Sequence, residues 1–214
     1  MRRVKMPTKK PAKHHNSALA PKVAMRRWLV EQLGGIEKVR VLDCFAAKGM
    51  LWERAYDRTP NYLGLDIRQF DDERRMVVTD SRRFLRHQDV DVRAWNLFDL
   101  DAFGTPLEHL ALLCERWRQV GGGREPIGIC LTDGTGFNAN MNSTSRGLLR
   151  YVGMAQHRGA TVQADYRSAI FNAAVAKALD AARFRIVASK SATQQNAGNE
   201  MVYVALHLEP VPVN

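Results

Sequence analysis

Cysteines and long apolar runs are both scarce in this sequence. Its 214 residues include three cysteines, Cys44, Cys114 and Cys130, which lie far apart and form no C-x-x-C pair. This pattern indicates neither a disulfide framework nor a zinc site, so we expect no bound metal and a reducing, cytoplasmic location. No apolar run approaches the roughly 18–20 residues of a membrane span, and the N-terminus lacks the apolar core of a secretory signal. We therefore expect no association with a membrane.

Acidic residues are absent from the first 30 positions. That stretch contains nine lysines and arginines, which account for nine of the ten net positive charges, and the rest of the chain is close to neutral. A basic stretch without acidic partners can neutralise phosphates, although it can also be a solubilising tail. We expect residues 1–18 to be a flexible basic arm that contacts nucleic acid. One folded domain is expected over residues 19–214, because a hydrophobic content of 45% suits a single α/β core.

A dinucleotide-binding fingerprint is also missing, although the chain contains a strand–loop–helix–strand pattern. The four segments of this pattern are expected at 39–42, 44–49, 51–58 and 62–65. The loop follows Asp43 and ends at Gly49, so a ligand could approach its backbone closely. Asp66 ends the second strand about 20 residues later, which is the spacing of an acid that holds a nucleoside ribose. The alternative is a βαβ crossover whose acids only cap helices.

Strands and helices continue to alternate along the chain. We predict helices over 19–33, 81–87 and 165–184, and strands at 76–78, before Asp101, at 127–131, 185–189 and 201–208. In the first helix, Val23, Arg27 and Val30 are expected on one face. A further helix is expected after Thr105, which would be its N-cap and form a capping box with Glu108. Polar loops are predicted at 134–145 and 191–200, at the sheet edge where open α/β folds bind ligands.

The stretch Asp-Leu-Asp-Ala-Phe-Gly-Thr-Pro at 99–106 resembles the Asp-x-Asp-Pro-Phe/Tyr-Gly-Ser-Pro signature of the tRNA N2,N2-dimethylguanosine methyltransferases. The first loop, 43–49, is similar to the Asp-x-x-(Ala/Ser)-Ala-x-Gly pattern of that family. Residues 65–67, 78–80 and 131–133 are similar to its later acidic motifs. The resemblance covers roughly residues 39–135 and is most specific at 99–106.

This resemblance implies a class I S-adenosylmethionine-dependent methyltransferase with a Rossmann-like α/β fold. The expected sheet has seven strands, mostly parallel, with an antiparallel final hairpin and helices on both faces. The expected activity is methylation of an exocyclic amino group of a nucleic-acid base, and RNA is favoured over DNA as the substrate.

The resemblance also implies roles for individual residues. Asp101 would hold the acceptor amine and Phe103 would stack on the base, so both are expected to be catalytic. S-adenosylmethionine is expected to contact Asp43, Phe45, Ala47, Gly49, Asp66, Ile67, Asp80 and Ser81. The substrate is expected to contact Ala102, Gly104, Asp133, Asn138 and Asn140. Asp80 could equally be the N-cap of the helix that follows it.

Two departures from the family pattern keep other functions open. Ala102 stands where the motif has proline, which leaves that turn less rigid, and the sequence ends without the additional C-terminal domain of the family. One alternative is a catalytically inactive protein that keeps the fold and binds nucleic acid. Another is a methyltransferase that acts on a small molecule or a protein.

Overall fold

A seven-stranded sheet forms the centre of the molecule. The computed structural model describes residues 19–102, 104–134, 151–153, 164–196 and 199–212. The strands are β1 (Arg40–Asp43), β2 (Asn61–Asp66), β3 (Met76–Val78), β4 (Leu97–Leu100), β5 (Ile127–Asp133), β6 (Phe184–Asn196) and β7 (Asn199–Pro210). Their order is β3-β2-β1-β4-β5-β7-β6, and all neighbours are parallel except that β7 is antiparallel to both β5 and β6. The predicted fold class is confirmed.

Helices cover both faces of the sheet. In the described parts of the chain they are α1 (Leu19–Gln32), α2 (Ser81–Arg86), α3 (Leu107–Gln119) and α4 (Ala164–Ala181), with short 3-10 turns at Ile36–Lys38 and Val92–Ala94. Apolar side chains of α2, α3 and α4 form one core with one face of the strands. Those of α1 form a second core on the opposite face, together with a turn of π-helix at Trp52–Tyr56.

The connection between β1 and β2 is less helical than predicted. The sequence predicts a helix over 51–58, whereas the structure has the π-helical turn Trp52–Tyr56. This wider turn buries Ala55 and leaves Tyr56 with no exposed surface. The difference matters for the site, because the turn places the Tyr56 hydroxyl beneath α1.

The final hairpin is longer than predicted. The sequence predicts a polar loop at 191–200, but β6 continues to Asn196 and pairs with β7, which begins at Asn199. The prediction was wrong because polar side chains are compatible with a solvent-facing edge strand, whose backbone groups are satisfied by the neighbouring strand. Residues 191–196 therefore belong to a strand and not to a loop that could close over a ligand.

Because side chains alternate along a strand, Asp99 of β4 and Asp101, which follows it, lie on the α1 side of the sheet. Leu97 belongs to the α1 core and Phe98 to the opposite core, so Asp99 and then Asp101 follow on the α1 side. On the adjacent strand β5, Cys130 belongs to the α1 core, which puts Thr132 on the same side. Three polar side chains thus meet under α1 at the carboxyl ends of β4 and β5.

Membrane spans and metal clusters are not found in the described ranges. No helix there is long and apolar enough to cross a membrane, and no group of three or more potential metal ligands occurs there. The three cysteines are buried and free.

Candidate functional site

Arg26 and Asp99 form a buried ion pair at the centre of the candidate site, where their side chains are 1% and 0% exposed. Arg26 Nε and Nη2 donate to Asp99 Oδ2 and Oδ1 at 2.6 and 2.5 Å. The Tyr56 hydroxyl donates to Oδ2 at 3.0 Å. Burial by itself would lower the pKa of Arg26, but the charge of Asp99 raises it, so the guanidinium stays charged. The pair holds α1 over the end of β4.

Asp101 is also held by α1. Lys22 Nζ donates to Asp101 Oδ2 at 2.7 Å, and Arg26 Nη2 lies 4.0 Å from Oδ1. Burial by itself would raise the pKa of Asp101, but the charges of Arg26 and Lys22 outweigh it and hold the pKa below its ordinary value. The carboxylate is therefore ionised at neutral pH.

Two buried polar atoms beside this ion pair lack a hydrogen-bond partner. They are Asp101 Oδ1 and Thr132 Oγ1, and no group in the described part of the chain reaches either one with acceptable geometry. The Thr132 side chain nevertheless lies close enough to favour the charged form of Asp101. A buried polar atom without a partner costs roughly 1–3 kcal/mol, so such atoms are rare. These two are well suited to receive donors from a ligand.

Asp43 connects the ion pair to the loop after β1. Its Oδ1 accepts the N–H of Phe45 at 3.0 Å, and its Oδ2 accepts the Tyr62 hydroxyl at 2.9 Å. Burial, helped by the charge of Asp99, raises the pKa of Asp43 to about 7. When Asp43 is protonated, the two negative charges of Asp99 and Asp101 are neutralised by the two positive charges of Arg26 and Lys22.

The loop and Asp66 meet at the carboxyl edge of β1 and β2, as predicted. The N–H of Ala47 donates to Asp66 Oδ2 at 3.0 Å, and that of Arg68 donates to Oδ1 at 2.9 Å. Ala47 reaches this position with φ 41°, a left-handed conformation that is unfavourable for alanine. Each carboxylate oxygen can still accept another hydrogen bond. The adjacent Ile67 is 71% exposed, so an apolar side chain stands next to this acceptor pair.

Arg74 supports the same loop from the other side. Its Nη1 and Nη2 donate to the carbonyls of Ala46 and Ala47, each at 2.7 Å, and it also pairs with Asp72. The guanidinium lies so close to Gly49 that a Cβ there would be 2.9 Å from its carbon. Gly49, with φ 78°, is therefore required by the backbone turn and by Arg74.

Asp80 is the N-cap of α2, which supports the structural alternative for this residue. Its Oδ1 accepts the backbone N–H of Arg82 at 2.8 Å, and the Arg82 guanidinium binds both carboxylate oxygens. Ser81 is buried and shares a 3.0 Å hydrogen bond with His109 Nε2. The His109 ring packs edge-on against Phe45, with ring centroids 4.7 Å apart. Cofactor contacts of Phe45, Asp80 and Ser81 stay predictions.

The turn before α3 differs from the prediction. The helix begins at Leu107 with Pro106 at the N-cap position, and Thr105 Oγ1 accepts the N–H of Leu107 at 3.4 Å. Glu108 bonds two arginines of α2. The predicted capping box is wrong because the packing of α2 beside α3 gives the Glu108 carboxylate cationic partners that the local sequence does not reveal.

The expected substrate-binding residues are only partly described. Ala102 is buried, and Asp133 is buried at the end of β5. Gly104 has φ 114°, and its carbonyl accepts the N–H of Gly134 at 2.6 Å, which ties the turn after β4 to the end of β5. Outside the described residues lie Phe103, Asn138, Asn140 and the predicted loop beyond Gly134.

Sequence reasoning missed the cations of this site. Val23, Arg27 and Val30 share a face of α1, as expected, but the residues that the helix buries are Met25, Arg26, Leu29 and Val30. The expectation that the basic stretch has no acidic partners is wrong. Lys22 and Arg26 bind acids 79 and 73 positions away. One signal was present, namely two cations one helical turn apart beside apolar positions.

No family model matches the sequence, and no curated protein matches it. Its structure is similar to solved structures. One is magnesium protoporphyrin IX methyltransferase (ChlM) from Synechocystis with bound SAH, at 12% identity and a TM-score of 0.52, covering 89% of this chain and 82% of that chain. Another is M. jannaschii TYW2 in complex with AdoMet, at 9% identity and a TM-score of 0.51, covering 89% and 77%. The chain has the class I methyltransferase fold.

A third similar structure is described as a hemolysin from Streptococcus thermophilus. It shares 12% identity with a TM-score of 0.53, and the match covers 88% of this chain and 66% of that protein. The chain thus spans about two thirds of that protein's length. At such an identity, the likeness shows a shared fold alone.

Proposed function

We propose that the protein is an S-adenosylmethionine-dependent methyltransferase that acts on an exocyclic amino group of a nucleic-acid base, with RNA preferred over DNA. The proposal is carried by the two buried acceptors without partners, Asp101 Oδ1 and Thr132 Oγ1. They lie at the carboxyl ends of β4 and β5, the edge where open α/β sheets bind ligands. A primary amino group has two N–H donors and could satisfy both atoms.

The residues at the first loop fit S-adenosylmethionine. Asp66 keeps one free acceptor position on each carboxylate oxygen, which suits the two hydroxyls of a ribose. The exposed side chain of Ile67 could cover the adenine, and the backbone of 44–49 would lie beside the methionine portion. When bound, S-adenosylmethionine would supply a methyl group on a positively charged sulfur, which becomes a neutral thioether as the methyl group passes to nitrogen.

Asp101 would stabilise the charge that develops on the acceptor nitrogen. Its Oδ1 would accept a hydrogen bond from the amine, whose nitrogen becomes positive as it is methylated. Because Arg26 and Lys22 keep the pKa of Asp101 low, the carboxylate remains ionised and acts through its charge. In the free protein, the hydrogen bond from Lys22 and the charge of Arg26 also orient the carboxylate.

Nucleic acid as the substrate is supported by the charge distribution. Residues 1–18 carry six lysines and arginines and no acidic residue. Such a segment adds affinity for phosphates without sequence selectivity. A small-molecule substrate would give this segment no evident role.

The first test is labelled methyl transfer from S-adenosylmethionine to separate pools of RNA, DNA and protein. We expect label in RNA, with less in DNA and none in protein. Label in protein alone would overturn the substrate class, and cofactor binding without transfer to any pool would indicate an inactive binding protein.

Asp101→Asn and Thr132→Val test the docking of the amine. We expect Asp101→Asn to lower the transfer rate by about 10²–10³-fold while cofactor affinity changes little. Thr132→Val replaces the hydroxyl by a methyl group of similar shape, so the fold should be kept. It should nevertheless lower transfer by up to about tenfold if the hydroxyl binds the amine. Full activity in both variants would contradict the proposal.

Asp66→Ala tests the cofactor site. We expect the affinity for S-adenosylhomocysteine, measured by calorimetry, to fall by about tenfold or more. Asp71→Ala is the matched control, because Asp71 is an exposed acid in the same connection. A 2′-deoxy analogue separates direct contact from loop support: the wild type should discriminate against it, and Asp66→Ala should not. Equal discrimination in both proteins would refute ribose binding by Asp66.

A further inference from the structure

The two cations that α1 directs at the acids of β4 are held very differently. Arg26 is 1% exposed and uses three nitrogens, two on Asp99 and one on the carbonyl of Lys22. Lys22 is 17% exposed and, among the described residues, makes one side-chain hydrogen bond, at 2.7 Å, to Asp101 Oδ2. Lysine is a flexible point charge, whereas the planar guanidinium is locked by its paired bonds. Lys22 can therefore exchange its partner while Arg26 stays in place.

We propose that Lys22 exchanges Asp101 for a phosphate group of the acceptor, so that it selects substrates in which a phosphate accompanies the reacting base. The inference rests on the proposed function. In the free protein, Lys22 neutralises Asp101. The amine docks on the vacant Oδ1 and leaves Oδ2 to this ammonium, whose hydrogen bond there can be exchanged for one to a phosphate on the same substrate.

The charges around Asp101 allow Lys22 to leave this carboxylate for a phosphate. Arg26 remains beside Asp101, with its Nη2 4.0 Å from Oδ1, so one cation still faces the carboxylate after Lys22 leaves. A nucleoside offers no anion to Lys22 and so gains nothing from this ammonium. A nucleotide gains a charge-assisted hydrogen bond to it, and we expect a preference of about tenfold or more.

The position of Lys22 agrees with this role. It lies in the first turn of α1 and keeps part of its side chain exposed, and the six cations of 1–18 precede it in the sequence.

The test compares the four nucleosides, their 5′-monophosphates and an RNA oligonucleotide containing all four bases as methyl acceptors. For the wild type, we expect kcat/KM to rise by about tenfold from the accepted nucleoside to its monophosphate. The absence of such a rise overturns the inference, whatever the variants do. A wild type that transfers to none of these acceptors refutes the proposed function, which is a different result.

Lys22→Met should remove the preference for phosphate, while Lys22→Arg, which keeps the charge, should retain most of it. In Lys22→Met, we expect the ratio of kcat/KM for the monophosphate to kcat/KM for the nucleoside to fall to about one. The log–log salt dependence of oligonucleotide binding to the S-adenosylhomocysteine-loaded protein should become shallower by about 1.

Arg27→Met is the matched control. It removes the same charge from the same helix, but Arg27 is exposed, and within the described ranges its guanidinium bonds the carbonyl of Arg54 alone. We expect it to keep the preference for phosphate. Equal losses for nucleoside and monophosphate in Lys22→Met, or the same behaviour in Lys22→Met and Arg27→Met, would show that Lys22 is only a structural partner of Asp101.

Discussion

Replacing Arg26 with methionine tests whether the buried ion pair holds α1 on the sheet. The guanidinium makes two hydrogen bonds to Asp99, at 2.6 and 2.5 Å, and neither side chain is more than 1% exposed. Methionine fills similar space but leaves Asp99 buried with the Tyr56 hydroxyl as its remaining side-chain donor. Removing one partner of a buried pair destabilises a protein by about 3–5 kcal/mol. In a domain of this size, the Tm should fall by roughly 6–20 °C.

Urea unfolding followed by circular dichroism measures the effect. Arg27→Met, on the exposed side of the same helix, should lower the free energy of unfolding by less than about 1.5 kcal/mol. The double variant Arg26→Met/Asp99→Asn removes both charges and should recover part of the loss, because no unpaired charge remains buried. If Arg26→Met unfolds at the same urea concentration as Arg27→Met, the ion pair contributes no stability and the reasoning is refuted.

Three further predictions concern pH, the loop and the arm. Because the pKa of Asp43 is raised to about 7, the folded state holds a proton that the unfolded state releases near pH 4, so stability should fall as pH rises. Between about pH 5 and pH 8, we expect the free energy of unfolding of the wild type to fall by up to about 3 kcal/mol, and that of Asp43→Asn to show no such fall. A free energy of unfolding that does not change with pH in the wild type would contradict this prediction. Arg74→Ala frees two loop carbonyls and should weaken S-adenosylhomocysteine binding about tenfold by calorimetry, whereas exposed Arg75→Ala should not. Deleting residues 1–18 should reduce the log–log salt slope of RNA binding by up to about 4, and an unchanged slope would argue against the arm.

Several elements follow from local sequence, and the structure confirms them. The strands that lead to Asp43 and Asp66 are short apolar runs with an acid at the end, a pattern that depends on burial and strand period alone. The N-cap role of Asp80 was one of two alternatives, and a short-range hydrogen bond to Arg82 supports it. The prediction that Asp66 ends the second strand is confirmed, and its contact with Ala47 follows because the carboxyl ends of adjacent parallel strands meet at one edge.

Other predictions were wrong where the local structure depends on hydrogen-bond partners that are distant in the sequence. Glu108 has the spacing of a capping box, but the arginines of α2 take its carboxylate. The segment 191–200 is polar and was predicted to be a loop, but its backbone pairs with β7. In both cases the competing partner is distant in the chain, and local patterns contain no information about it.

The amino-acid sequence determines the order of strands and helices here, the acids at the strand ends and the concentration of positive charge before residue 30, because these depend on composition and on periodicity along the chain. The pairing of charges was decided by the tertiary structure. Lys22 and Arg26 belong to a basic stretch in sequence, but packing of α1 on the sheet puts them against Asp101 and Asp99. The same packing excludes water from Thr132 and Asp101 Oδ1, and so leaves two buried acceptors without partners. A buried charge must find its counterion in space, and distance along the chain does not limit where that counterion lies.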